Sequence, residues 1–148
     1  MTVCDLRPEH LDAVTRIDEL QTGQSKPEYW QSVFDRFLRT ERGPRRVGVA
    51  AEDDGKLIGY LLGEVRAFEF GSEACGWIFA VAVDPGHARQ GVAAALTEEA
   101  CSRFRAAGVS KVRTMVRRND VAVLSFFRSR EFVGGSFAQL ELDLEERA

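Results

Sequence analysis

Cysteine and histidine are scarce in this chain, and what little there is lies badly placed for joint chemistry. The three cysteines, Cys4, Cys75 and Cys101, are odd in number and widely spaced. They form no C-x-x-C pair and have no histidine close by, which argues against a disulfide framework and a zinc site; no metal is expected. Free, mostly buried thiols are the simpler reading, since only His10 and His87 could serve a catalytic cysteine as base. Long apolar runs are missing too. The longest, residues 77–83, is far too short to span a bilayer. The opening Met1-Thr2-Val3-Cys4-Asp5 lacks the basic-then-apolar layout of a secretory leader. A soluble cytoplasmic protein with no membrane partner is therefore expected. Nor is there an excess of positive charge: the net charge of −3 argues against a general nucleic-acid binder. No repeat or low-complexity tract appears. With 148 residues, 45% hydrophobic and 29% charged, the chain has the size and composition of one globular domain spanning residues 1–148.

What is present is organised around residues 77–96, W-I-F-A-V-A-V-D-P-G-H-A-R-Q-G-V-A-A-A-L. An apolar β-type run breaks at Asp84-Pro85-Gly86 and resumes as a helical pattern around Gly91. A strand feeding a glycine-containing turn and a helix start can hold a phosphate. The first turn of a helix presents unpaired N–H groups and the positive end of its dipole, and small residues let the ligand approach. Many α/β proteins make the same turn for packing alone.

Elsewhere the pattern predicts a short first strand over residues 3–7, then a helix begun by Pro8-Glu9. That helix carries Leu11, Val14, Ile17 and Leu20 inward and ends near Gly23. A second helix starts near Ser25-Lys26-Pro27 with Tyr29 or Trp30, Val33, Phe34, Phe37 and Leu38 as its apolar positions, and Gly43-Pro44 ends it. Strands over 46–51 and 57–66 flank Asp54-Gly55, a hairpin signal. Apolar residues on both faces of the second imply a central strand covered on both sides. Residues 68–72 turn the chain back into the run at 77–83.

After the phosphate-type turn, Val92, Leu96, Ala100 and Phe104 form a helical stripe with Thr97 placed off it, closed by Gly108. Residues 111–116 read as a strand parallel to 77–83, since a helix separates the two. Asn119 looks like an N-cap for a helix turning Val123, Phe126 and Phe127 inward. Two final strands are expected within residues 132–144, where Leu140, Leu142 and Leu144 alternate with Glu141 and Asp143. The order β-α-α-β-β-β-α-β-α-β makes an α+β fold: a mixed, mostly antiparallel central sheet flanked by helices.

Three landmarks make this sequence resemble the GNAT superfamily of acyl-CoA-dependent N-acetyltransferases. They are V-A-V-D-P-G-H-A-R-Q-G-V-A-A-A-L at 81–96, Asn119 with Ala122 and Phe126-Phe127, and Arg-Glu-Phe at 130–132, where the family usually has Gly-Phe. The loop departs from the common pattern in having Ala88 at its first position and Ala93 at its last glycine. The resemblance implies that acetyl-CoA is the co-substrate. Its pyrophosphate would meet main-chain N–H groups of Arg89, Gln90, Gly91, Val92, Ala93 and Ala94. Its pantetheine arm would pair like a strand with Val81, Ala82 and Val83, and Asn119 would contact the arm near the thioester. A homodimer is compatible with the family.

The implied reaction is direct transfer of the acetyl group to an amine, on a small molecule or on a protein or peptide, within a ternary complex. The alternative is a non-catalytic acyl-CoA-binding regulatory or sensor domain. Side-chain chemistry is where the sequence departs from its relatives. Phe127 stands at the tyrosine that often protonates the thiolate, and Trp77 and Thr114 stand where relatives keep a glutamate. Glu73, sharing strand parity with Trp77, is the candidate base; Glu64, Glu69, Tyr29 and Tyr60 are further candidates.

Overall fold

The computed structural model describes residues 1–38 and 45–147. The expected helix end at Gly43-Pro44 lies outside them. By internal packing the chain forms two units, residues 1–115 and 116–148.

The first unit is built on five strands in the spatial order β1-β2-β3-β4-β5: Thr2–Asp5, Arg46–Asp53, Lys56–Arg66, Cys75–Val83 and Val112–Arg113. The first four pair antiparallel and β5 joins β4 in parallel, giving the mixed, mostly antiparallel sheet that the sequence implied. The β2–β3 hairpin turns at Asp54 and Gly55, both at positive φ (51° and 74°), the backbone that an Asp-Gly turn supplies. Residues 57–63 of β3 are buried without a break, so this central strand is covered on both faces.

One face is covered by α1 (Leu11–Thr22) and α2 (Pro27–Leu38). Their Val14, Ile17, Trp30, Val33, Phe34 and Phe37 pack with Tyr60 and Leu62 of β3. A 3-10 turn at Pro8–His10 precedes α1, and Gly23 ends it in the left-handed region at φ 77°. Leu20 does not join this core; it is 55% exposed. A series spaced only by three residues drifts by about 60° per step around a helix, which carries Leu20 off the face of Val14 and Ile17.

The other face is covered by α3 (Val92–Ala106). Three glycines on the sheet allow its close approach. A Cβ built at Gly59 would stand 2.9 Å from Val92 Cγ1, and one at Gly63 would stand 2.8 Å from Phe104 Cζ. At Gly76 the Phe104 ring is closer still. Thr97, expected off the stripe, is buried with it, its hydroxyl donating to Ala93 O at 2.8 Å. That internal bond removes the cost of burying the hydroxyl. Gly108, at φ 91°, follows the helix end as expected.

The second unit holds α4 (Val121–Ser129). Its N-cap is Asp120 rather than Asn119: Asp120 Oδ1 accepts from Val123 N at 3.1 Å, so the helix begins one residue later. Aspartate caps as well as asparagine, and adjacent cap residues make such a shift by one easy. Val123, expected inward, is 38% exposed in the first turn, whereas Phe127 is buried, edge-on to both Phe126 and Phe132. Past α4, Glu131 adopts φ 71° and Phe132 N–H returns to Phe127 O. This left-handed stop is the place where glycine is usual, and here it is held by glutamate. The two terminal strands are not formed. Residues 133–147 carry no strand, with Leu140 92%, Leu142 59% and Leu144 77% exposed. Among the described residues no helix is long and apolar enough to cross a membrane.

Candidate functional site

The site begins where β4 and β5 part. Their parallel ladder covers only Gly76↔Val112 and Trp77↔Arg113. The sequence implied a strand through residue 116, but β5 stops at Arg113, and Thr114 then spends its hydroxyl on Ile78 O at 3.0 Å. From Phe79 to Val83 no strand among the described residues pairs with β4 on that side.

Which groups face this open edge follows from the antiparallel alternation on the other side. Asp84 N–H donates to Ile58 O at 2.8 Å, and the β3–β4 register continues as Tyr60↔Ala82 and Leu62↔Ala80. Hydrogen-bonded pairs therefore fall on Asp84, Ala82 and Ala80, and the polar groups of Val83 and Val81 point away from β3. Consistently, Val83 O accepts a side-chain N–H from outside the sheet, that of Gln21 at 2.8 Å. Of Val81, Ala82 and Val83, the two valines thus turn their main chain to the side that no strand pairs, while the amide and carbonyl of Ala82 face Tyr60. The register slips between Leu62 and Gly63, leaving Phe79 as an extra residue between Ala80 and Ile78. A bulge of this kind leaves a residue out of the ladder and bends the strand.

The loop after β4 is held by Asp84. Its carboxylate accepts from Gly86 N at 2.9 Å and faces Arg16 Nη2 at 3.4 Å, contacts that hold its carboxyl below the usual aspartate range. His87 stays partly exposed; its Nε2 lies 3.9 Å from Asp53 Oδ2, while its buried Nδ1 has no partner among the described residues. Arg89 and Gly91 then take positive φ, 63° and 79°. The first bond of the helix ladder runs from Ala95 N to Gly91 O. The N–H groups of Arg89, Gln90, Gly91, Val92, Ala93 and Ala94 have no partner among the described residues. Whereas α1 and α2 carry Asp12 and Glu28 in their first turns, α3 has no acidic residue there to neutralise its positive end. Successive free N–H groups at a helix start make an anion-binding concavity. Because Val92 packs where a Gly59 Cβ would be, and Gly59 pairs with Val83, this concavity adjoins the end of the open edge.

On the face of α1 and α2, Glu64 lies opposite Trp77 across the β3–β4 ladder. Arg66 Nε holds Glu64 Oε1 at 3.2 Å, and the Arg66 guanidinium sits 5.1 Å from the centre of the Trp77 ring. Glu73, the base candidate, lies exposed in the loop before β4, which starts at Cys75; strand parity with Trp77 does not extend to it. Glu69 is exposed in a 3-10 turn, and Tyr29 is half-exposed against Trp30. Tyr60 is buried edge-on to Trp30, with its pKa pushed up by burial first and then by Asp18 and Tyr29, so it keeps its proton. Asn119 is exposed in the second unit, which also contains Phe127.

One trio among the described residues, Cys4, His10 and Glu52, brings ligand-type atoms within 4.8 Å of one another. Its hydrogen bonds suit a structural corner better than an ion. His10 Nδ1 accepts from Arg7 N at 2.9 Å, so the proton sits on Nε2 and is directed at Glu52 Oε2, 2.8 Å away. A metal at Nε2 would need that proton on Nδ1, against the Arg7 N–H, and the Arg7 guanidinium already holds Glu52 at 3.1 Å. Burial, then Glu52, pushes the Cys4 thiol up, away from thiolate reactivity.

The profile of the Acetyltransferase (GNAT) family matches residues 11–132, and the chain belongs to that family. No curated protein matches the sequence. Solved structures share the fold at low identity. Aminoglycoside 6'-N-acetyltransferase AAC(6')-IG of Acinetobacter haemolyticus is 17% identical over 97% of this chain and 100% of its own, with a TM-score of 0.76. Aminoglycoside N-acetyltransferase AAC(6')-Iy, solved with CoA, is 13% identical over 97% and 94%, with a TM-score of 0.82. A transcriptional regulator of Bacillus halodurans C-125 is 14% identical over 97% and 99%, with a TM-score of 0.81.

Proposed function

We propose that residues 1–148 act as one N-acetyltransferase domain, moving an acetyl group from acetyl-CoA to an amine by direct transfer in a ternary complex. The observation that carries this reading is the adjacency of two main-chain surfaces, the edge at Val81 and Val83 that no strand pairs and the free N–H groups of residues 89–94. A ligand joining a pyrophosphate to an amide-bearing arm would satisfy both. Each helix-start contact contributes only about 0.3–1 kcal/mol, so the six N–H groups and the charge of Arg89 have to act together. Strand-like pairing along the valines gives the arm one direction, toward the bulge at Phe79. The family resemblance adds Asn119 and Phe127 as further residues for contact with the cofactor.

The acceptor has to be neutral to attack. For a lysine-like amine that costs about 4–5 kcal/mol at pH 7. We assign the proton to Glu64, directly or through water, in preference to Glu73. Glu64 is a β3 carboxylate one ladder step from the bulge, oriented by Arg66, on the face that α1 and α2 cover. Phe127 has no proton to give the departing thiolate. A thiol pKa of about 8.5 makes that group able to leave without one.

Isothermal titration with acetyl-CoA tests cofactor capture. Binding by the wild type and its loss in a folded Gly91→Asp variant are expected, because the new carboxylate would meet the pyrophosphate at a position that also needs φ 79°. No binding by the wild type, or equal binding by both, would sink the reading. The shared fold of a transcriptional regulator favours a second reading, a sensor that binds acyl-CoA without turnover. Acceptor-dependent thiol release across an amine and peptide panel separates the two.

A further inference from the structure

The open edge of β4 is not bare. Gln21, in the last turn of α1, donates its side-chain Nε2–H to Val83 O at 2.8 Å, across 62 residues of sequence. Val83 O is one of the carbonyls that β5 leaves without a strand partner. A primary amide N–H on an exposed, flexible side chain therefore fills the place of a strand N–H. We infer that Gln21 is a stand-in for the amide of an incoming strand-like ligand. It caps the Val83 carbonyl in the free protein and swings away when the pantetheine arm, with its secondary-amide donors, pairs along β4.

Two observations and one general consideration support this. Gln21 is exposed, so the side chain can leave without breaking packing. Its helix is tied to the same end of β4 by a separate contact, Arg16 to Asp84 at 3.4 Å, so α1 does not depend on Gln21 for its placement. An unsatisfied strand edge invites pairing with other chains, and a polar cap on it is one way to suppress that. Gln21 is thus a positioning and specificity residue for the arm alone. Its side-chain hydrogen bond goes to Val83 O, not to the loop that would hold the phosphates.

The inference rests on the acetyl-CoA reading, and the test separates the two. CoA and adenosine 3',5'-bisphosphate, which lacks the arm, are titrated calorimetrically into wild type, Gln21→Ala and Gln21→Met. Methionine keeps the length of glutamine and loses only the donor. Releasing one exposed hydrogen bond predicts that both variants bind CoA about two- to tenfold more tightly, while the bisphosphate affinity does not change. Equal or weaker CoA binding by the variants overturns the inference, as does a parallel shift for both ligands. Absence of CoA binding by the wild type overturns the acetyl-CoA reading itself, and this inference with it.

Discussion

The Phe104 ring lies so close over Gly76 that a Cβ built there would stand 2.6 Å from its Cγ. The contact joins α3 to the strand that carries the site. Gly76→Ala should cost about 1–3 kcal/mol, the usual range for overpacking, read as a lower urea midpoint at unchanged slope. Phe104→Leu should make the added methyl cheaper, so the double variant loses less than the sum of the two singles. Simple additivity would show that this contact is not what limits the position.

Glu64→Gln tests the proton route. With an amine found by thiol release, kcat at neutral pH should fall about 100-fold while acetyl-CoA affinity holds. Unchanged turnover would return the role to water or another carboxylate. Glu73→Gln, by the same reasoning, should leave turnover near wild type.

Acid stability should depend on Glu52. The hydrogen bond from His10, then the charge of Arg7, holds its carboxyl below the usual glutamate range. A depressed folded-state pKa adds stability that is complete above the unfolded value of about 4.3 and is lost as pH falls through the folded one. Melting temperature should therefore drop more steeply below about pH 4.3 in the wild type than in Glu52→Gln. Parallel acid limbs would contradict the assignment.

Glu131→Gly should stabilise the end of α4. A glutamate at φ 71° carries a penalty of about 1–2 kcal/mol that glycine lacks, offset in part by the greater freedom of glycine when unfolded. Slower amide exchange at Phe132, whose N–H closes the stop on Phe127 O, is the local readout.

How far the sequence was legible depended on whether a pattern named its own partner. The hairpin at Asp54-Gly55 and the turn from Val83 into α3 did, because their residue types satisfy local backbone requirements. The bulge at Phe79 did not. Residues 77–83 are apolar on both parities, so a slip of one residue leaves no mark in the pattern. The length of β5 was hidden for a related reason: Thr114 is a good strand residue, and only the structure shows its hydroxyl ending the ladder at Ile78. At Leu140, Leu142 and Leu144 alternation marks a face without supplying anything to cover it, and the strand expected there is absent. The base candidate fared similarly. Glu73 had the right parity on paper, but the strand begins two residues later.

That Thr114 bond also makes the open edge a ruler. One end is shut at Ile78 and the other opens onto the free N–H groups that follow Asp84. Five residue steps between Ile78 and Val83, at about 3.3 Å each, give a slot of about 17 Å. On the proposed acetyl-CoA reading, an arm anchored at its phosphate end by the loop runs only that far before it meets the closed end. In that reading the chain length from anchor to thioester is measured against the protein, and an acyl group beyond the stop would have to turn out of the sheet.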